Sequence, residues 1–97
     1  MNSNIKIFNI ENKEEFLLNF KSIKRNTTFN IIITLNFNDF DNIIEKLFEL
    51  SNLLSQNNKS FVLVNSIFYN ENICVVPTVR EAHDIIEIEE IERDLLS

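Results

Sequence analysis

The sequence predicts a two-layer α/β domain, in which three helices lie mostly on one face of a four-stranded, mainly parallel sheet. The first observation is that short β-branched segments and longer amphipathic ones follow each other as β-α-β-α-β-β-α. The second is that strands separated by helices pair in parallel through right-handed crossovers, so helices between neighbouring strands share a face. The third is a length of 97 residues, which suits one domain. We therefore expect a single domain over residues 1–97, with the second face of its sheet only partly covered.

The first half of the chain is predicted to form a strand, a helix and a second strand. Ile5–Ile10 alternates in part between apolar and polar side chains, as a strand does. Asn12 is typical of a helix N-cap, and Glu15 is placed to bond back to the start of that helix. The apolar side chains at helical spacing are Phe16, Leu17, Phe20 and Ile23. Asn30–Leu35 contains three consecutive isoleucines, which favour a central strand because β-branched side chains fit an extended backbone.

The second half is predicted to add a helix, two strands and a final helix. The candidate caps of the second helix are Asp39, Asp41 and Asn42. Its wide apolar stripe consists of Ile43, Ile44, Leu47, Phe48, Leu50, Leu53 and Leu54. The helix is expected to end within residues 55–58. Apolar runs at residues 61–64 and 73–76 predict the third and fourth strands, joined by a loop over residues 65–72.

The last helix carries two apolar stripes that point in roughly opposite directions. It is predicted to begin at a Thr-x-x-Glu capping box, formed by Thr78 and Glu81, and to run to near Leu95. The first stripe is Val79, Ala82, Ile85 and Ile86, which we expect to dock on the sheet, and the second is Ile88, Ile91 and Leu95. One straight helix cannot bury both stripes against the same sheet. Residues 87–97 therefore either protrude or bend back. Three possibilities are open for the second stripe. It completes the core against the first helix, it contacts a partner or a second copy of the chain, or it forms a frayed, exposed end.

Negative charge is concentrated in this last helix. Residues 78–97 hold seven acidic and two basic side chains, a net charge of −5, whereas the other 77 residues hold eight acidic and seven basic ones, a net charge of −1. Because an acidic surface repels phosphate groups, we expect neither nucleic acid nor an anionic membrane as a partner. The sequence also has no run of 18 apolar residues that would predict a membrane span.

Side chains that commonly carry catalysis are scarce in this chain. It has no glycine, which excludes the Gly-rich loops that hold nucleotide phosphates. Cys74 and His83 are the only thiol and imidazole, too few for a Cys/His zinc site. Cys74 lies in an apolar run typical of an inert core residue, and His83 is predicted on the surface of the last helix. We expect no enzyme activity, no metal and no cofactor.

The location of the protein is predicted from two further observations. A single cysteine rules out an internal disulfide bond, which fits a reducing compartment. The start of the sequence lacks the basic patch and following apolar stretch of a signal peptide. We therefore expect a cytoplasmic protein.

The segment that leads from the fourth strand into the last helix is the most specific motif. Residues 74–82 read CVVPTVREA, an apolar strand followed by Pro-Thr and by x-x-Glu-Ala opening a helix. This segment resembles the end of STAS domains, the anti-sigma-factor-antagonist fold, and residues 61–64 resemble the penultimate strand of that fold. Residues 84–95 resemble short STAS-like proteins of Bacteroidetes that often lie beside, or carry the label of, ribonuclease Z. The match covers about the last 40 residues, and the first half agrees in element order only.

The resemblance implies a four-stranded sheet with helices on one face and a function in protein contact. In signalling STAS domains, a serine in a turn before the second helix is phosphorylated to switch partner binding. Residues 35–42 occupy that place here and contain no serine, threonine or glycine, so the switch cannot be carried over. Residues 65–72 replace the helix that follows the penultimate strand in the family. The two-metal site of ribonuclease Z is rich in histidine, whereas His83 is the only histidine of this chain.

The sequence therefore predicts a non-catalytic protein-interaction domain, a degenerate STAS-like adaptor without the phosphorylatable serine. The predicted partner-binding residues are Ile88, Ile91, Leu95, Ile67, Phe68, Tyr69, Glu87 and Glu90. An acidic rim that also includes Glu89, Glu92 and Asp94 would attract a basic partner. The partner is another protein, or a second copy that dimerises through the last helix.

The alternative is a domain that binds a small ligand. Open α/β sheets hold ligands at the carboxyl ends of their strands. The polar residues predicted at that edge are Asn36, Asn38, Asn65 and Ser66. The same residues would also serve as ordinary loop and cap residues.

Overall fold

The computed structural model describes residues 4–96, which form one sheet of four parallel strands in the order β1-β2-β3-β4. The strands are β1 Ile5–Ile10, β2 Asn30–Leu35, β3 Phe61–Val64 and β4 Cys74–Val76. The central strands β2 and β3 are almost entirely buried, because each has a neighbouring strand on both sides and cover on both faces. The predicted α/β class with a four-stranded parallel sheet is confirmed.

Two of the three helices in the described residues start at the predicted caps. The helices are α1 Lys13–Lys24, α2 Ile44–Gln56 and α3 Val79–Leu96. At the start of α1, the Asn12 side chain accepts a hydrogen bond from the backbone N–H of Glu15 at 2.8 Å. At the start of α3, the Thr78 hydroxyl accepts from the N–H of Glu81 at 3.2 Å and donates to its carboxylate at 2.9 Å. The local sequence is sufficient to specify both starts.

The start of α2 differs from the prediction, since no side chain within residues 4–96 caps it. Ile43 occupies the cap position and is fully buried. The preceding residue, Asn42, has a left-handed backbone with φ of 70°, and Asp39 accepts a hydrogen bond from the N–H of Asp41 within the same turn. After α2, Asn58 also has a positive φ, 57°. Burial of Ile43 in the core, instead of a polar cap, therefore fixes where α2 begins.

The helices α1 and α2 lie on the same face of the sheet, as predicted for crossovers between neighbouring parallel strands. The helix side chains buried on this face are Phe16, Phe20, Ile23, Leu47, Leu50 and Leu54. The strand side chains that meet them are Ile31, Ile33, Leu35, Phe61 and Leu63. The connection from β3 to β4, residues 65–73, contains no helix and packs on this face through Phe68 and Ile73.

The last helix, α3, packs on the opposite face of the sheet. The second core there contains Ile32, Val62 and Val64 of the strands with Ala82 and Ile86 of α3. Side chains of a strand point alternately to its two faces, so β2 and β3 need apolar cover on both. Because α3 follows the last strand and forms no crossover, the rule that places α1 and α2 together does not apply to it. The helices thus lie mostly on one face, as predicted, and α3 covers part of the other.

Two predictions reach residues outside the described part of the chain. The predicted absence of a signal peptide rests partly on residues 1–3, and the predicted helix end over residues 87–97 includes Ser97. Up to Leu96 that end is part of the continuous helix α3. None of the helices within residues 4–96 is long and apolar enough to cross a membrane.

The orientation of α3 predicts different responses to one substitution at two isoleucines. Ile86→Ala removes a fully buried side chain and should lower the free energy of unfolding by about 2–5 kcal/mol. Ile91→Ala shortens a side chain on the solvent side and should lower it by less than about 1 kcal/mol. Urea unfolding followed by circular dichroism measures both. Equal losses of unfolding free energy in the two variants would contradict this orientation of α3, since Ile91 would then pack on the body of the protein.

Candidate functional site

The face of α3 that docks on the sheet changes from apolar to polar along the helix. We call it the docking face, and its buried and half-buried residues are Val79, Ala82, Ile85, Ile86, Glu89, Glu90 and Arg93. Up to Ile86 these side chains belong to the second core. Beyond it the helix is held by charged side chains instead of aliphatic ones.

Asn30, the first residue of β2, holds the polar end of the docking face. This side chain is fully buried. Its Nδ2 donates to Oε2 of Glu90 at 2.8 Å, and its Oδ1 accepts from the backbone N–H of Ser60 at 2.8 Å. Nη1 of Arg93 donates to Oγ of Ser60 at 3.1 Å. Two side chains of α3 are thus bonded to the amino-terminal edge of the sheet, and these bonds set the rotation of the helix about its axis.

This polar network was missed at the level of sequence, although a signal for it exists. The spacing from Ala82 to Ile86, Glu90 and Arg93 continues one helical face, but its second half is charged and therefore resembles a solvated surface. Asn30 opens the most apolar strand and is typical of a turn residue. Only the fold brings residues 30 and 90 together.

The second apolar stripe of α3 faces solvent. The exposed fraction is 54% for Ile88, 46% for Ile91 and 80% for Leu95. We call these three residues the outer stripe. Because α1 and α3 lie on opposite faces of the sheet, the outer stripe does not complete the core against α1, and that alternative is excluded. An apolar row on the free side of a docked helix is typical of an interaction surface.

Acidic side chains flank the outer stripe. The exposed acidic residues of this part of α3 are Asp84, Glu87, Glu92 and Asp94. Glu90, predicted to belong to this rim, is turned toward the body of the protein and bonds to Asn30. Glu89 is half-buried on the docking face. The acidic rim is therefore narrower than predicted, and Glu87, Glu92 and Asp94 are its members next to the outer stripe.

The predicted contact residues of the β3–β4 loop form a separate surface. Ile67 and Tyr69 are exposed, whereas Phe68 is half-buried with its ring centroid 4.6 Å from that of Phe40. Oδ1 of Asn65 accepts hydrogen bonds from the N–H groups of Ile67 and Phe68, at 2.8 and 2.7 Å, and so shapes the loop. Since the loop packs on the α1–α2 face and α3 on the other, the structure does not bring the two predicted sets together.

The predicted ligand residues do meet, in a groove of about 370 Å³ at the carboxyl edge of the sheet. Its polar lining is Thr34, Asn36, Asn38, Asn65 and Ser66. The Asn65 amide donates to the Leu35 carbonyl at 2.9 Å, and the Asn36 amide donates to Glu11 at 2.7 Å. These two amides therefore hold the loops in place. Oγ1 of Thr34 differs from them, because it is buried and has no hydrogen-bond partner.

A second groove, of about 360 Å³, lies at the amino edge of the sheet and contains the thiol of Cys74. Burial raises the pKa of Cys74, and the nearby carboxylate of Glu89 raises it further, so the thiol stays protonated and is a poor nucleophile. Arg93 and Glu89 both line this groove. His83 is exposed on α3. Within residues 4–96, no group of three or more His, Cys, Asp or Glu side chains is placed to hold a metal ion.

No family model matches the sequence, and comparisons with curated proteins and with solved structures give no significant match. The resemblance to STAS domains therefore stays a prediction. Of the surfaces described above, the outer stripe with its acidic rim is the one that α3 presents to solvent.

The hydrogen-bond network at Asn30 predicts that replacing this residue destabilises the protein more than replacing an exposed asparagine does. Asn30→Ala removes the hydrogen bonds to Glu90 and to the N–H of Ser60, and should lower the free energy of unfolding by about 1–3 kcal/mol. Asn52→Ala, at an exposed position of α2, is the matched control and should change it by less than about 0.5 kcal/mol. Urea unfolding gives both values. If the two variants lose the same amount, the polar network does not hold α3.

Proposed function

We propose that the chain is a non-catalytic protein-interaction domain, with an adaptor or regulatory role, that binds a protein partner through the outer stripe of α3. The observation that supports this most directly is the exposure of Ile88, Ile91 and Leu95 on a helix whose opposite side is docked. The proposal assigns no catalytic residue and no cofactor, and it includes a cytoplasmic location.

The size of the outer stripe fits a reversible complex. Burying a fully exposed aliphatic side chain contributes about 1.5–3 kcal/mol, and the three side chains are between about half and four-fifths exposed. Together they would contribute about 3–5 kcal/mol to a complex, part of which offsets the entropy lost on association. Additional contacts, such as charge pairs with the acidic rim, are needed for a specific complex.

A degenerate STAS-like adaptor is the form of this proposal that the sequence motif favours. A parallel α/β sheet whose last helix is capped by Thr78 agrees with that resemblance, although such sheets serve many functions. Residues 35–42 offer no hydroxyl group to phosphorylate, so binding would not be controlled by the phosphorylation switch of signalling STAS domains. The association with ribonuclease Z belongs to the same proposal.

The second candidate function is the binding of a small ligand at the carboxyl edge of the sheet. It is favoured by the Thr34 hydroxyl, a buried group without a partner in a groove at the place where open α/β sheets hold ligands. A ligand that accepts or donates one hydrogen bond there would satisfy this hydroxyl. The bonded amides of Asn36 and Asn65 leave few other free polar groups, which is why we rank this function second.

Photo-crosslinking in cells tests the leading proposal. A photo-reactive amino acid in place of Ile91 or Leu95 should give a covalent adduct with a partner protein, because both side chains lie in the proposed interface. The matched control is the same amino acid at Leu18 of α1, which is 84% exposed but lies on the other side of the protein. Denaturing gels and mass spectrometry identify adducts. No adduct from positions 91 and 95, or the same adducts from position 18, would contradict the proposal.

Substitution of Thr34 tests the second candidate. Thr34→Val removes an unpaired buried hydroxyl and should raise the free energy of unfolding of the isolated protein by about 1 kcal/mol. A thermal-shift screen of nucleotides and common metabolites against both proteins completes the test. A compound that stabilises only the wild type would support ligand binding at this groove. If Thr34→Val is more stable and no compound stabilises the wild type, the proposal of ligand binding at this groove is contradicted.

A further inference from the structure

The outer stripe has the spacing of a helix-pairing seam. Ile88, Ile91 and Leu95 follow each other at i, i+3 and i+7, the spacing of the a and d positions of a heptad. Helices pair along such a seam because each apolar side chain fits between side chains of the facing helix. The seam lies on a helix that the sheet already holds in place, so pairing does not require α3 to fold. A helix is therefore the shape of partner that the outer stripe fits.

The positions beside the seam are acidic. With Ile88 at position a and Ile91 at d, Glu92 is at e and Asp94 at g, while Glu87 is at g of the preceding heptad, and all three side chains are exposed. These are the positions whose charges determine which helices pair. Arg93 points away from the seam and bonds to Ser60, and Arg80 lies about two turns before Ile88. The charge that meets a partner along the outer stripe is therefore negative on both flanks.

This charge pattern opposes a second copy of the chain in either orientation. In a parallel pair of α3 helices, Glu87 of one copy would face Glu92 of the other. In an antiparallel pair, g positions face g positions, so Glu87 of one copy would lie near Asp94 of the other. Carboxylates would meet carboxylates in both cases, and repulsion between like charges at e and g positions is how helices avoid wrong partners.

We propose that the outer stripe binds one amphipathic helix of a different protein, whose apolar seam is flanked by lysine or arginine, and that it does not bind a second copy of this chain. The inference rests on the proposed function and deepens it by stating the chemistry of the partner. The homodimer predicted as one form of the interaction is thereby replaced by a heterotypic complex. Basic side chains of the partner would pair with Glu87 and Glu92 around the buried seam.

A charge-reversed form of the same protein is the probe for this inference. The variant Glu87→Lys/Glu92→Lys keeps the outer stripe and places lysines beside it, as in the proposed partner. We expect wild type and variant to be monomers alone and to form a one-to-one complex when mixed, at least about tenfold tighter than either self-association. Sedimentation equilibrium at low ionic strength measures this. The complex should weaken in 0.5 M salt, because exposed charge pairs are screened.

Two controls assign the complex to the outer stripe and its rim. The variant Glu14→Lys/Glu45→Lys makes the same change in charge at exposed positions of α1 and α2, and should form no complex with the wild type. The variant Ile88→Asp/Ile91→Asp removes the apolar seam at exposed positions. This variant should form no complex with the Glu87→Lys/Glu92→Lys protein. Circular dichroism should show that the Ile88→Asp/Ile91→Asp protein is folded.

The outcomes separate this inference from the proposed function. A wild-type dimer as tight as the mixed complex would overturn the inference, because the occupant would then be a second copy. No complex in the mixture would also overturn it, since the acidic rim would not select a basic helix. In both cases the photo-crosslinking result at positions 91 and 95 decides separately whether the outer stripe binds any protein.

Discussion

The buried amide of Asn30 is the contact on which the presentation of α3 depends. It bonds at once to Ser60, just before β3, and to Glu90 in the second half of α3. A buried amide must have both its donor and its acceptor satisfied, and here one partner is a neighbouring strand while the other is the helix. The amide thus joins the sheet edge to one side of α3. The aliphatic side chains on the opposite side of that helix are left in solvent as a result.

The second constraint is that the central strands are apolar on both faces. Ile31 and Ile33 point to α1 and α2, whereas Ile32, between them, points to α3. Without α3, a row of aliphatic side chains would be exposed across β2 and β3, which costs stability and favours aggregation. α3 therefore has one side that the fold requires and another that the fold does not use. This division of one helix between stability and recognition is the basis of the proposed function.

Much of the fold could be predicted from the sequence, because the signals that specify it are local. The caps at Asn12 and Thr78 act over three residues, and the isoleucine run of β2 identifies a central strand by itself. The side of α3 that docks on the sheet could also be predicted, because Val79, Ala82, Ile85 and Ile86 share one helical face and pack there. The contacts that hold the second half of α3, between residues 30 and 90 and between residues 60 and 93, could not be predicted, because they join residues far apart in the sequence. The role of Asn65 could not be predicted for the same reason, since its amide holds a loop through hydrogen bonds to the carbonyls of Leu35 and Phe37.

The left-handed turns at Asn42 and Asn58 occur in a chain that contains no glycine. Asparagine takes over a backbone conformation that glycine adopts most easily, because its short amide tolerates a positive φ. Every residue of the unfolded polypeptide is consequently restricted by a side chain. A glycine-free chain samples fewer conformations before it folds, so ordering each turn sacrifices less configurational entropy than the same turn built on glycine. That reduced disorder of the denatured ensemble favours the folded state, and it offsets part of the strain that a positive φ costs at Asn42 and Asn58.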